Sequence, residues 1–398
     1  MKKIIQVAMG EAWLRKAHSI RTFHNCKHLA KKHKIKIVYP SSPINLRNSE
    51  KIRKFYKKSN LELKFLPKTF FSSVLTLMGL PGRYFFYLID RLFFSFFAFI
   101  YILVSETDII YLADPIITFF FVTSRRIHRK KIIYEMHGIE HIRFEKASSF
   151  VRMLSKGMEI RALKGSDALI TISFWLKNYA KNFNRRVLFF PTGFEREIFK
   201  KGIKNSSRKK LGIPKEHKIL MYSGINLREG LEDLIYSMKY FSKNKNIKLY
   251  IVGGLPKQVI KFRRISKELN LENNIIFIRS IPHEKNPDYL NASDFLISPY
   301  SRNKNTEYFA SPLKVFEYMA VEKPIIATNV GCLKGILEDG KNAILVEAEN
   351  PKSMAEGINK VLKNNKLAKK IAKNAYNDSK KYTYKKRAEE ISKLIERL

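Results

Sequence analysis

Short runs of β-branched and other apolar residues alternate with longer stretches of helical periodicity along nearly the whole chain. In the first half Ile4–Met9, Ile35–Pro40, Asp108–Ala113, Lys131–His137, Asp167–Ser173 and Val187–Pro191 read as strands, with a helical stretch over Ser19–Lys32. After Phe199 the apolar rhythm lapses into the lysine-rich Lys200–Lys210, the best candidate for a domain boundary. It then resumes with Ile219–Gly224, Ile247–Gly253, Ile275–Ser280, Asp294–Pro299, Pro324–Thr328 and Ala343–Val346. Helical segments such as Leu231–Phe241 lie between, and charged amphipathic helix runs on to Leu398. Such alternation predicts parallel sheets covered by helices on both faces. Two series predict two doubly wound α/β domains, residues 1–198 and 199–380, followed by a helix over 381–398. Ligands of such sheets gather beyond the carboxyl ends of the strands, so the loops there are where chemistry is sought.

Composition narrows the class. With 398 residues, 45% of them hydrophobic, the chain can fill two cores and is not generally disordered. Two cysteines, Cys26 and Cys332, have neither metal-ligand nor redox spacing, which fits a reducing, cytoplasmic setting. The opening Met1–Gly10 has too short an apolar stretch for a signal peptide and reads as a first strand. A formal charge of +41 must meet anions: nucleic acid, an anionic membrane surface or phosphorylated substrates. Zinc-finger spacing and aromatic RNA-binding signatures are missing, so nucleic acid is not the expected partner.

The segment Tyr84–Val104 is the one stretch that could touch lipid. Asp90 and Arg91 interrupt it, leaving a run of 13 residues from Leu92, whereas a span needs about 20. It reads as a buried helix of an α/β domain or as an amphipathic segment at the membrane interface, aided by Lys68, Arg83 and Arg91.

The segment Ser311–Ala320, SPLKVFEYMA, is the most informative in the chain. Serine followed by proline is a strong helix opening, with Ser311 as cap and Pro312 first in the helix. Lys314 then falls in the first turn, where the dipole favours an anion, and Glu317 is expected on its face. Amides, a cation and a carboxylate together suit a sugar nucleotide, though an ordinary surface Lys–Glu pair gives the same pattern.

Other candidates lie at strand ends. Gly10 and Gly224 each follow the first strand of a half, outside any dinucleotide or Walker fingerprint. Arg228, in the loop before Gly230, is suited to gripping a diphosphate or to a surface salt bridge with Glu229 or Glu232. His137, before Gly138, can donate to a substrate hydroxyl, take part in acid–base work, or be structural. His283 lacks comparable placement, and neither Asp114 nor the Glu135/Glu140 pair has metal-ligand spacing.

Together these pieces resemble a glycosyltransferase of family 4, the large retaining group with the GT-B fold of two Rossmann-like domains facing across a cleft. The likeness runs through Lys16–Thr22, the junction Phe190–Glu195 with Ile198-Phe199, the loop Ile281–His283 with Tyr289–Asp294, and the S-P-x-K-x-x-E-Y-M-A helix. The resemblance implies that Glu317 binds the donor's ribose hydroxyls. Amides around Ser311, Pro312 and Leu313 would meet the diphosphate or sugar. Arg228 would neutralise the leaving group, assisted by Lys314; His137 would face the donor sugar; Gly10 and Gly224 would let loops approach; Arg279 and Ile281 would frame the base. Two departures stand out: Phe309 replaces the earlier of two acids, and Glu229 replaces a lysine.

The expected function is transfer of a sugar from a nucleoside diphosphate sugar to a glycan or lipid-linked acceptor hydroxyl, with no metal or other cofactor, in cell-envelope or lipid-linked glycan synthesis. The expected location is the cytoplasm, on the inner face of the membrane. The alternatives are a GT-B nucleotide-sugar 2-epimerase and a non-catalytic basic protein on membrane or polyanion.

Overall fold

The computed structural model describes residues 1–12, 17–78, 82–224 and 230–398. The chain forms two compact units. Unit 1 comprises Met1–Pro191, Tyr308–Ala310 and Tyr384–Leu398; unit 2 comprises Thr192–Glu307 and Ser311–Thr383. The division thus falls between Pro191 and Thr192, ahead of the expected end at residue 198.

Unit 1 is built on a parallel sheet of seven strands: β1 (Lys3–Val7), β2 (Lys34–Pro40), β3 (Glu62–Leu66), β4 (Ile109–Leu112), β5 (Lys131–Met136), β6 (Ala168–Thr171) and β7 (Val187–Phe189). Their order is β3-β2-β1-β4-β5-β6-β7. In the middle of the sheet Ile5 is flanked by Lys36 and Ile110, and Ile110 by Ile132. The central strands are buried on both faces, hence their near-continuous apolar runs. The edge strand β3 was not read from the sequence. It alternates charge and hydrophobe (ELKFL), and only Phe65 and Leu66 are buried.

Unit 2 has six parallel strands: β8 (Lys218–Gly224), β9 (Ile247–Gly253), β10 (Ile275–Ile278), β11 (Phe295–Ser298), β12 (Ile325–Thr328) and β13 (Ile344–Val346), in the order β10-β9-β8-β11-β12-β13. The lysine-rich stretch taken as the candidate domain boundary lies inside unit 2 and is partly a helix, Lys204–Leu211, anchored by a buried residue. Arg208 is 1% exposed, pairs with Asp294 at 2.7 Å, and donates to the carbonyls of Ala292 and Lys215. Asp294 and Ala292 lie far along the chain, so the local lysine density hid a fixed element.

Two helices of unit 1 bear on function. Tyr384–Glu396 adds Ala388, Ile391 and Ile395 to the core around β1 and β2. Arg83–Leu103 is a helix of 21 residues, with the Asp90-Arg91 pair that divides its apolar run inside it. Asp90 is fully buried and accepts from Thr69 Oγ1 at 2.6 Å and the Phe71 amide at 3.1 Å, while Arg91 pairs with Asp114 at 3.0 Å. By length and composition it is, among the described residues, the one helix that could cross a membrane, with mean hydropathy 1.8 and a third of its apolar window buried.

Candidate functional site

In unit 2 the helix Leu313–Ala320 stands over the carboxyl end of β8 and is fixed at three successive places. Lys314 Nζ donates to the Tyr222 hydroxyl at 3.1 Å and lies 4.1 Å from the centre of that ring and 5.4 Å from that of Tyr300. Glu317, 6% exposed, accepts from His283 Nε2 at 2.7 Å through Oε1. Tyr318 is fully buried, and its hydroxyl accepts from the Ser223 amide at 2.8 Å. Ser223 Oγ in turn donates to Asn286 Oδ1 at 2.7 Å, tying β8 to the helix that follows His283.

This arrangement corrects two expectations. Ser311 does not cap the helix: its Oγ accepts from the Thr192 amide at 2.9 Å, and its carbonyl accepts from Thr192 Oγ1 at 2.6 Å. The helix starts at Leu313, with Pro312 in the cap position and no side chain bonded to the first amides. Lys314 is therefore its second residue, and its partners are aromatic rings, while Glu317 takes a histidine. His283, which has no strand-end placement in the sequence, is the residue that orients the Glu317 carboxylate.

The electrostatics of that pair are readable. Burial alone would lower the His283 pKa, but the adjacent Glu317 carboxylate more than offsets this and raises it above the ordinary 6.5. Protonation of the ring is thereby favoured, and its Nε2 donates to the carboxylate, with the Phe199 ring 5.0 Å from the imidazole.

Around this core, Gly224 ends β8 with its carbonyl taken by the Gly254 amide at 3.1 Å. Gly230 has φ +78°, and a Cβ there would meet the Pro299 carbonyl oxygen at 2.4 Å, so glycine is required. Arg228 and Glu229 lie outside the described residues, as does Lys16. Arg279 is exposed and Ile281 half-buried in the loop after β10. Just ahead of the helix, Asn305–Phe309 forms a π-helical turn, from which Glu307 accepts from the Gly331 amide at 3.1 Å and from Arg302 at 3.0 Å. Phe309, at the position expected to be acidic, is 1% exposed and packs on Trp175 in the core of unit 1.

In unit 1, Gly10 follows β1 with φ +103°, and a Cβ there would come within 2.5 Å of His18 Nε2. Asn45 holds the loop, donating to the carbonyls of Gly10 and Pro40 and accepting from the Ala12 amide. At the end of β5, His137 belongs to a buried network that sequence alone did not reveal. Its Nε2 lies 2.6 Å from Glu135 Oε1 and its Nδ1 2.9 Å from Arg21 NH2. Arg387, from the last helix, pairs with Glu135 Oε2 at 2.8 Å and donates to the Phe190 carbonyl; Tyr111 also donates to Glu135.

Arginine only donates, so Nδ1 accepts and the ring proton sits on Nε2, donated to Glu135. Burial and Arg21 depress the His137 pKa to about 4, which keeps the ring neutral. Both nitrogens are therefore committed within unit 1. The expected acid–base or hydroxyl-donating part for this imidazole would require breaking one of those bonds. Among the described residues no group of three or more His, Cys, Asp or Glu could hold a metal ion.

Comparison with known proteins follows the same division. Residues 203–378 match the family described as Glycosyl transferases group 1. An uncharacterized glycosyltransferase of Methanocaldococcus jannaschii is 28% identical over 241 residues, which cover 60% of this chain and 61% of the relative. Sucrose-phosphate synthase from Thermosynechococcus elongatus superposes with a TM-score of 0.75 at 16% identity, covering 100% of this chain and 99% of that one. Anabaena HepE, solved in complex with UDP-glucose, gives 0.74 at 15% identity and covers both chains completely. At such identities the structures establish the fold, two Rossmann-like parallel sheets of GT-B type. Through residues 203–378 the chain is similar to the group 1 glycosyltransferases, on a fold of GT-B type.

Proposed function

We propose that this protein is a retaining glycosyltransferase that moves a sugar from a nucleoside diphosphate sugar to an acceptor hydroxyl. The observation that carries the reading is the buried His283–Glu317 pair on a helix whose first amides no side chain caps. Glu317 is the acceptor for the ribose hydroxyls, held in place by His283. The helix-start amides and Lys314 meet the diphosphate, with Arg228 as a second cation from the loop before Gly230. Arg279 and Ile281 frame the base. That HepE, on the same fold, binds UDP-glucose supports a donor of this class.

The charge that builds on the departing diphosphate is met by these cations and amides, so we assign no metal to the reaction. Attack comes from the face the leaving group departs, assisted by its phosphate, because the proposed donor residues include no nucleophilic carboxylate. His137 receives no proton-transfer role, since its ring is neutral and both nitrogens are engaged. The acceptor is a glycan or lipid-linked hydroxyl of cell-envelope synthesis, met at the cytoplasmic face of the membrane.

Thermal-shift measurements with uridine and guanosine diphosphates and their sugars test the reading. One nucleotide series should stabilise the protein in a saturable way. Glu317→Ala should raise the donor KM about tenfold or more, from loss of a charge-assisted bond of ~1.5–3 kcal/mol. Near-normal kinetics in this variant would sink the assignment.

A further inference from the structure

The longest helix of unit 1 is turned inside out relative to an ordinary surface helix. Along Arg83–Leu103 the polar side chains face inward: Asp90 and Ser95 are fully buried, and Arg91 is paired with Asp114. The solvent face instead carries Phe85, Phe93, Phe96, Ile100 and Leu103, each between 39% and 51% exposed. With half-buried Ile89 they follow the three- and four-residue steps of a single stripe that contains no charge. The neighbouring segment continues the patch, with Phe71 51%, Val74 49% and Met78 65% exposed. Contiguous apolar surface of this extent marks an interaction site.

Charge identifies the occupant. From Leu63 to Val104 the only acid is Asp90, which is buried, whereas Lys64, Lys68 and Arg83 supply positive charge. Lys64 and Arg83 lie over the Tyr101 and Tyr84 rings, at 5.9 and 4.7 Å. A second copy docked face to face would bring these cations against themselves, whereas an anionic lipid surface satisfies both the apolar stripe and its cationic flanks. The helix cannot leave the unit cheaply: Phe94, Ala98 and Ile102 are completely buried in the core with Ile5, Val38 and Phe121.

We propose that this face docks on an anionic lipid bilayer, with Arg83–Leu103 lying in the plane of the interface rather than crossing it. The docking gives the lipid-linked acceptor of the proposed function a location. It rests on that reading only for its purpose, since vesicle binding needs no substrate and can fail or succeed independently of donor binding.

Flotation of the full chain at physiological salt tests it, using phosphatidylcholine vesicles with and without phosphatidylglycerol. The protein should float with the anionic vesicles, and Phe93→Ser/Phe96→Ser should cut that partition by at least about tenfold. Thermal unfolding of the variant should match the wild type. Separately, Phe96→Trp should shift its emission to the blue when anionic vesicles are added. Recovery of the wild type in the soluble fraction would overturn the proposal, and so would equal flotation of the double-serine variant, which would mean that net charge alone drives binding. A dimer by light scattering that becomes a monomer in the double-serine variant would assign the face to a second copy instead.

Discussion

Two histidine–glutamate pairs, one at the end of β5 and one joining a loop histidine to the helix Leu313–Ala320, have nearly the same length and opposite electrostatics. His137 lies 2.6 Å from Glu135 and His283 lies 2.7 Å from Glu317. Glu135 is surrounded by Arg21 and Arg387, so its charge is already matched and the imidazole beside it stays neutral. Among the partners the structure gives Glu317, the histidine is the only basic group, and the carboxylate raises its pKa against the effect of burial. Burial favours the neutral ring in both pairs, and the guanidinium groups beside Glu135 leave that preference in force. In unit 1 the charges close on each other and act as structure. In unit 2 the pair is simpler, and its carboxylate can still answer a ligand.

Removing a cation from the closed network should have the largest effect. Arg387→Met leaves Glu135 buried with less compensation and should destabilise unit 1 by about 3–5 kcal/mol, measured by chemical denaturation. An equivalent loss at exposed Arg279 should be within about 0.5 kcal/mol.

A smaller effect separates the two histidines by pH. The His137 value, about 4, lies below the ordinary 6.5, so below pH 6.5 the unfolded chain binds a proton that the folded chain refuses. Stability should fall with acid from pH 6.5 down to about 4 and then level off for this group. His283 has the opposite sign. Its contribution is fully present below 6.5 and is lost as pH rises through its raised value. Nuclear magnetic resonance titration of the two rings checks both, and parallel titration curves would contradict the account. Arg21→Met should move His137 upward toward the behaviour of His283.

These features differ in how far the chain alone reveals them. Strands β4, β5, β9 and β12 are apolar runs buried on both faces, and such runs announce themselves locally. Edge strand β3, half exposed and carrying Glu62 and Lys64, does not. Glu317 was legible because its helix motif is continuous in sequence. Its partner His283 was not, because only folding brings together residues that lie 34 positions apart. Arg387 joins the His137 network from the far end of the chain, and Arg208 hid among lysines that remain solvated. Long-range pairing decides which of several similar polar residues is buried, and local pattern carries no record of it. Phe309 shows the same limit. The missing acid was visible, but its burial against Trp175 was not.

The central claim is that Glu317 is the ribose acceptor, and calorimetric binding tests it most directly. The nucleoside diphosphate selected by the thermal-shift screen and its 2′,3′-dideoxy analogue would each be titrated into the wild type and Glu317→Gln. The account predicts that either change alone weakens binding about tenfold to a hundredfold. It also predicts that both together cost little more than one, because the same bond is removed twice. Equal affinity of wild type and Glu317→Gln for the full nucleotide, or fully additive losses, would contradict it.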